Sequence, residues 1–297
     1  MNVLNKKIKF IKINEENNQR IDNYLKKILK KKNKNDIYKI IRKGSIRINK
    51  KRVKFFYKLK YNDILRIKII KNKFKLYYLN NLEKHIIYED KDILVIKKPT
   101  GIAVHGGSNI KCGIIESIRI LRNKDDFLEL VHRLDRETSG ILLIAKNRKT
   151  LIFLNKEMYF KNIKKKYLSL VNGIWKKKNS IIELCIKKNI KKNINNKYTK
   201  TLFKIIRYYK FYTLLKILPI TGYKHQIRIH TSYVNKPILF DKIYNKNLFD
   251  NKYINNKKNR LFLHAETIIL RHPYNKKYIK IISNIDFDLY YFLKKLK

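Results

Sequence analysis

The stretch HRLDRETSG, residues 132 to 140, sets a carboxylate, Asp135, between two guanidinium groups, Arg133 and Arg136. Flanking cations favour the ionised form, so Asp135 is expected to be charged at neutral pH. Thr138, Ser139 and Gly140 allow a tight turn into the apolar run ILLIA that follows. A charged carboxylate on a loop at the rim of a rigid sheet is where catalytic groups tend to sit. The same residues also read as an ordinary charged turn whose surface ion pairs contribute little.

Two further stretches concentrate polar groups. TGYKHQIRIH, residues 221 to 230, carries His225, Gln226, Arg228 and His230. Arg228 suits a buried carboxylate partner, while Ile227 and Ile229 anchor the element in the core; the bland alternative is the polar face of a core element. KKKYLSLV, residues 164 to 171, puts Tyr167 after three lysines on an expected strand. A ring on a sheet beside basic residues can stack on a nucleobase, at about 1–3 kcal/mol per base. With 21 tyrosines in the chain, a core role is the default for any one of them. His105 sits in a Gly-bounded loop without a visible partner, and His132, His264 and His272 lack metal-ligand spacing. There is no phosphate loop, dinucleotide fingerprint, Gly-x-Ser-x-Gly elbow or His-Glu-x-x-His motif, so ATP use, hydride transfer, serine hydrolysis and zinc catalysis lose support.

The elements that must position these groups follow from periodicity. RIDNYLKKILKK places Ile21, Tyr24, Leu25, Ile28 and Leu29 at helical spacing. Asp36 is expected to cap a second helix over IYKIIRK, which Gly44 stops. IRIN and ILRIKII read as strands around a basic turn at Lys50, Lys51 and Arg52. ILVI after Asp92, ILLIA after Gly140, KKYLSLV, TLFKIIRYYKFYTLLKILPI, LFLHAETIIL and YIKIIS supply further strands. IIESIRILR, KTLIFLNKEMYF and FDLYYFLKKL read as helices. Residues 71–84 read as a linker. The Lys/Asn-rich residues 176–200 read as loop with one strand, IIELCI, and 242–260 as a surface loop. Consecutive strands without regular βαβ alternation argue for an α+β domain: a mixed, mostly antiparallel sheet flanked by helices. The divisions are an N-terminal segment (1–19), a small module (20–70), the linker (71–84) and a large domain (85–297).

Composition narrows the partners. The 297 residues hold 73 Lys plus Arg against 22 Asp plus Glu, a net charge of +51 that attracts polyanions. Ile, Lys and Asn crowd the chain and Ala occurs only at positions 103, 145 and 265, as in an AT-biased gene, so codon bias accounts for part of the basic excess. The longest apolar run, Gly140 to Ala145, is far short of the roughly 20 residues of a membrane span. The N-terminus has no sustained apolar stretch of a signal peptide. Cys112 and Cys185 are expected to be reduced thiols of a cytoplasmic protein, without disulfide or zinc.

HRLDRETSG followed by an aliphatic strand resembles the catalytic motif of the RluA-type RNA pseudouridine synthases. KKPTGIAVHGG lies upstream of it, with KKYLSLVNG, HQIRIH and LFLHA downstream in the family's order, so the resemblance spans roughly residues 85 to 290. Residues 20 to about 70 resemble the S4-like RNA-binding module, in the version found in the branch that modifies large-subunit ribosomal RNA. The resemblance implies isomerisation of specific uridines in 23S ribosomal RNA to pseudouridine, with Asp135 as the essential carboxylate. It implies that Tyr167 stacks on the target base and acts at C5, and that Arg228 pairs with the aspartate. It further implies no cofactor, no metal, no membrane and a monomer. RNA contacts are expected from Arg42, Lys43, Lys50, Lys51, Arg52, Arg133, Lys166 and Lys224. One position departs: Tyr223 stands where the family usually has arginine, which puts a phosphate contact or structural bond in doubt, with Lys224 next to it as a partial substitute. The alternatives are a synthase acting on other rRNA or tRNA uridines, and a non-catalytic RNA-binding or ribosome-assembly protein that keeps the fold.

Overall fold

The computed structural model describes residues 6–14, 18–29, 34–70, 82–107, 112–122, 127–190, 193–245 and 259–296. The chain divides into two compact units, Met1–Leu76 and Tyr77–Lys297.

In the first unit, β1 (Lys6–Lys12), β2 (Ile46–Ile48) and β3 (Ile64–Ile70) form an antiparallel sheet in the order β1-β3-β2, beside α1 (Ile21–Ile28) and α2 (Lys34–Arg42). Ile21 and Leu25 from α1, Ile37 and Ile41 from α2, and Ile46, Ile48, Leu65 and Ile67 from the sheet are buried together. The sequence division at residue 19 is corrected here. β1 pairs with β3 from Lys6↔Ile70 to Lys12↔Ile64, so the N-terminal segment belongs to this sheet. α2 also begins at Lys34, which leaves Asp36 inside its first turn rather than at the cap. Gly44 does end the helix, at φ 68°, with Ser45 N–H donating to the Ile40 carbonyl and Gly44 N–H to that of Ile41.

The second unit is one mixed sheet with helices on it. Its strands are β4 (Ile86–Glu89), β5 (Ile93–Lys98), β6 (Glu129–Leu130), β7 (Ser139–Ala145), β8 (Lys164–Asn172), β9 (Asn179–Ile190), β10 (Asn193–Tyr208), β11 (Tyr212–Pro219), β12 (Leu263–Arg271) and β13 (Tyr278–Ile282). The order is β4-β5-β7-β12-β8-β11-β10-β9, with β13 on β12 and β6 on β7. Among the described residues only β7 and β12 pair in parallel. The helices are α3 (Ile114–Leu121), α4 (Arg148–Tyr159), α5 (Gln226–Tyr233) and α6 (Phe287–Lys295).

The central strands are continuous apolar runs because both faces are covered. Leu94, Ile96, Leu142 and Ile144 point to one core with Ile114, Ile115 and Ile118 of α3. Ile93, Val95, Ile141, Leu143 and Ala145 point to the other, with Leu154 of α4. The Lys/Asn-rich segment at 176–200, read as loop with one strand, contributes most of the β9–β10 hairpin, a second correction. Its inner face is threonine as well as aliphatic: Thr199 and Thr201 are fully buried beside Phe203. Hydroxyls in those positions interrupt the apolar alternation that reveals a strand.

Candidate active site

Asp135 lies on the connection between β6 and β7. Val131 N–H donates to the Leu143 carbonyl and Thr138 N–H to that of Asp135, closing the turn. The loop is then fastened from outside. Lys98, fully buried at the end of β5, donates from Nζ to the carbonyls of Pro99 (2.8 Å), Ile102 (2.7 Å) and Arg136 (3.0 Å). Thr100 Oγ1 donates to the Glu137 carbonyl at 2.7 Å, and Gly101 N–H to that of Arg136 at 2.9 Å. Gly140 sets where the loop enters the sheet. Its φ is 107°, and a Cβ there would lie 2.2 Å from the Ala265 carbonyl oxygen, so only glycine lets β7 approach β12 this closely.

Arg228 projects from α5 and is buried. Its Nε and Nη2 donate to Asp241 Oδ2 and Oδ1, each at 2.7 Å, a bidentate pair. Its free Nη1 faces Asp135 Oδ2 at 3.8 Å, an ion pair without a hydrogen bond. Burial alone would lower the Arg228 pKa, but Asp241 and Asp135 outweigh it and the group is held above its ordinary value. The expected pairing with Asp135 is thus present in the weaker form, and the strong partner is Asp241. Asp241 also accepts from the backbone N–H of Ile243 (2.9 Å) and Tyr244 (3.1 Å). The guanidinium lies 5.1 Å from the centre of the Tyr244 ring.

His225 precedes α5 in the left-handed region, φ 57°. That conformation turns its Nε2 to 3.7 Å from Asp135 Oδ1, while Nδ1 hydrogen-bonds with the Tyr244 hydroxyl at 3.0 Å. Burial lowers its pKa against the pull of Asp135, so the imidazole is neutral at neutral pH. Tyr167, on β8, is 8 % exposed. Burial first, then the nearby charge of Asp135, pushes its phenol well above the ordinary 10.0. The group facing the carboxylate is therefore a neutral phenol, able to donate a proton or stack, and a poor base.

Asp135, Tyr167, His225 and Arg228 line one cleft of about 760 Å³, with Arg133 and Lys224 on its walls and Leu130, Leu134, Met158 and Leu263 as apolar lining. Residues 92–233 match the RNA pseudouridylate synthase family and residues 19–65 match the S4 domain. The chain is 47% identical over 296 residues to the ribosomal large subunit pseudouridine synthase C of Buchnera aphidicola subsp. Schizaphis graminum, covering 94% of each chain. It is 44% identical over 299 residues to the enzyme of that name from Haemophilus ducreyi, covering 95% of this chain and 93% of the relative. The chain belongs to the RNA pseudouridine synthases. Human RNA pseudouridylate synthase domain containing 4 shares the fold, at 23% identity and a TM-score of 0.65 over 74% of this chain and 95% of that one.

Within this synthase the other sequence-derived positions separate. Lys166 faces away from the cleft, into a groove with Lys177, Lys204 and Lys216. Arg42, Lys43, Lys50, Lys51 and Arg52 are all exposed on the first unit. In HQIRIH the helix buries Ile227, Arg228 and His230 and leaves Ile229 only half-buried, so Ile227 is the better anchored of the two isoleucines. Gln226 is structural: its Oε1 accepts from Thr221 Oγ1 and Tyr223 N–H, and its Nε2 donates to Thr201 Oγ1 and the Lys200 carbonyl. His230 pairs with Thr199 Oγ1 at 2.8 Å, and burial takes its pKa down to about 4. Tyr223, in place of the family arginine, turns its ring toward Lys197 Nζ, 5.4 Å from the ring centre, at the cleft rim. Asp241 and Tyr244 were not singled out by sequence. Their only signal is an acidic residue and a tyrosine in FDKIY, 13 and 16 positions after Arg228, with no spacing rule to connect them.

Proposed function

We propose that this synthase isomerises specific uridines of large-subunit ribosomal RNA to pseudouridine, in the cytoplasm and as a monomer, with Asp135 as the reacting carboxylate. One observation carries the assignment of Asp135. Its carboxylate sits on the wall of the cleft with an ion-paired guanidinium on one oxygen and a neutral imidazole near the other. The full-length similarity to enzymes named for the large ribosomal subunit supports the substrate. The free thiols Cys112 and Cys185 suit a reducing compartment.

The reaction breaks the N1–C1′ bond and joins C1′ to C5. It changes no oxidation state and needs one proton lost from C5 and one gained at N1, so the balance calls for no cofactor. Asp135 either attacks C1′ or removes a ribose proton. Arg228 holds it ionised and oriented, with its own fork fixed on Asp241. The detached uracil must turn without escaping, which the apolar walls and the Tyr167 ring favour by excluding water. Tyr167, as a neutral phenol, takes up the C5 proton only as its own hydroxyl proton passes to the nearby Asp135 carboxylate, and the proton count closes when N1 is protonated. Extruding the uridine from its stack costs a few kcal/mol. Contacts to phosphates from Arg133, Lys224, Lys166 and the basic face of the S4 module offset this.

The test is substrate choice in vitro. Purified protein is incubated with unmodified transcripts of large-subunit rRNA, small-subunit rRNA and tRNA, and pseudouridine is counted in each. The expected result is pseudouridine in the large-subunit transcript alone. Product in tRNA or small-subunit rRNA instead would overturn the substrate assignment.

A further inference from the structure

Arg133, Lys165, Lys224 and Arg228 are the cationic side chains on the walls of the cleft. Arg228 is bound by Asp241 and faces Asp135. Arg133 and Lys224 are exposed and hydrated. Lys165 is unlike the other three. It is partly buried, yet among the described residues its ammonium makes no hydrogen bond and no ion pair. Lys98, fully buried in the same unit, instead has three carbonyl acceptors on Nζ. A cation on a cleft wall with no acceptor of its own keeps its donors free for an anion that enters the cleft.

The position is specific. Lys165 is two residues before Tyr167 on β8, so both side chains leave the strand on the same face, about 7 Å apart along it. Its Nζ lies against the 221–224 turn, 3.8 Å from where a Cβ on Gly222 would be. The missing side chain at Gly222 leaves the ammonium open at that wall. Tyr223, next in the turn, brings no charge. Nothing acidic compensates Lys165 from inside: burial alone lowers its pKa, to about 8. Its charge in turn helps burial to depress the neighbouring His132, to about 3.

We propose that Lys165 binds a backbone phosphate of the RNA beside the target uridine, holding the strand while the base occupies the cleft. This rests on the pseudouridylation reading given above. A phosphate carries its charge throughout the cycle, so the contact belongs to binding. A uracil oxygen becomes anionic only after N1–C1′ cleavage, and a contact to it would act on turnover alone.

The experiment compares wild type, Lys165→Met and Lys165→Arg in the full chain. RNA affinity is measured over a salt series on the large-subunit transcript, alongside kcat and KM. Lys165→Met is expected to weaken Kd and KM about tenfold, the cost of one charge-assisted contact, with kcat within about threefold. The slope of log K against log salt should shrink by about 0.7, one single-strand phosphate contact. Lys165→Arg should restore slope and KM, which a merely structural lysine would not require. An unchanged Kd and slope in Lys165→Met would overturn the proposal. Loss of kcat at unchanged Kd would also overturn it and move the charge to the uracil. So would loss of folding that Lys165→Arg fails to rescue. Affinity and slope are read on bound RNA whether or not it is modified. A wild type inactive on every transcript would therefore refute the functional reading and leave the Lys165 assignment separately decided.

Discussion

Replacing Asp241 with asparagine removes the strong partner of Arg228 and keeps its shape. Two hydrogen bonds of 2.7 Å join the pair, and both side chains are buried. Breaking a buried pair by removing one partner costs about 3–5 kcal/mol. Asparagine keeps one acceptor oxygen, and Arg228 still faces Asp135 at 3.8 Å, so the lower end, about 3 kcal/mol, is expected. Trp175, the sole tryptophan, is buried in the catalytic unit, so its fluorescence follows unfolding of that unit. At a urea dependence of about 2–3 kcal/mol/M, the midpoint should fall by roughly 1–1.5 M. The effect should also depend on pH. Burial alone would raise the Asp241 carboxyl, but Arg228 and two backbone N–H groups hold it below its ordinary 3.8. A depressed folded value gives stabilisation that is complete above the unfolded value and lost as pH falls through the folded one. The gap between wild type and D241N should hold from about pH 7 to 5 and close below about pH 4. Turnover should drop at least about tenfold, because a fork no longer fixed on Asp241 no longer holds Asp135 in place. A midpoint shift under about 0.3 M, or wild-type turnover, would refute the positioning role given to Asp241.

Two other perturbations test neighbouring parts of the site. Gly140→Ala puts a methyl group 2.2 Å from a backbone oxygen at φ 107°, where no flexible side chain can yield. A loss of about 3 kcal/mol or more is expected, seen as insolubility or a collapsed Trp175 unfolding midpoint; a soluble, fully stable variant would contradict the close β7–β12 approach. Tyr167→Phe keeps the ring and removes the hydroxyl proposed to carry the C5 proton, so RNA affinity should stay within about twofold while turnover falls about a hundredfold or more. Undiminished turnover would show that stacking alone suffices.

The sequence carried the parts of the site that are local. Asp135 sits in a stretch whose turn residues and following apolar strand are contiguous, and Tyr167 sits on a strand marked by Leu168, Leu170 and Val171. Arg228 was marked by a cluster of polar groups, but its partner was not, because the pair joins α5 to a turn after it through an irregular segment with no period. Nor could sequence foresee that His225 reaches Asp135, which depends on one left-handed backbone angle. The β9–β10 hairpin was obscured by buried threonines among Lys and Asn. The run IKFIKI alternates as a strand does, yet the pairing of β1 with β3 is a contact across more than 50 residues that alternation does not encode. Lys165 was lost among three consecutive lysines. Only the fold separates one facing the cleft from Lys166 on the opposite face.

The central claim, that Asp135 drives uridine isomerisation in large-subunit rRNA, is tested most directly in a synthase-deficient host. Pseudouridine is mapped across the large-subunit rRNA after expression of the wild type or Asp135→Asn. The account predicts restoration by the wild type alone, with both proteins soluble and binding RNA within a few-fold of each other. Restoration by Asp135→Asn, or failure of both while both bind, would contradict it.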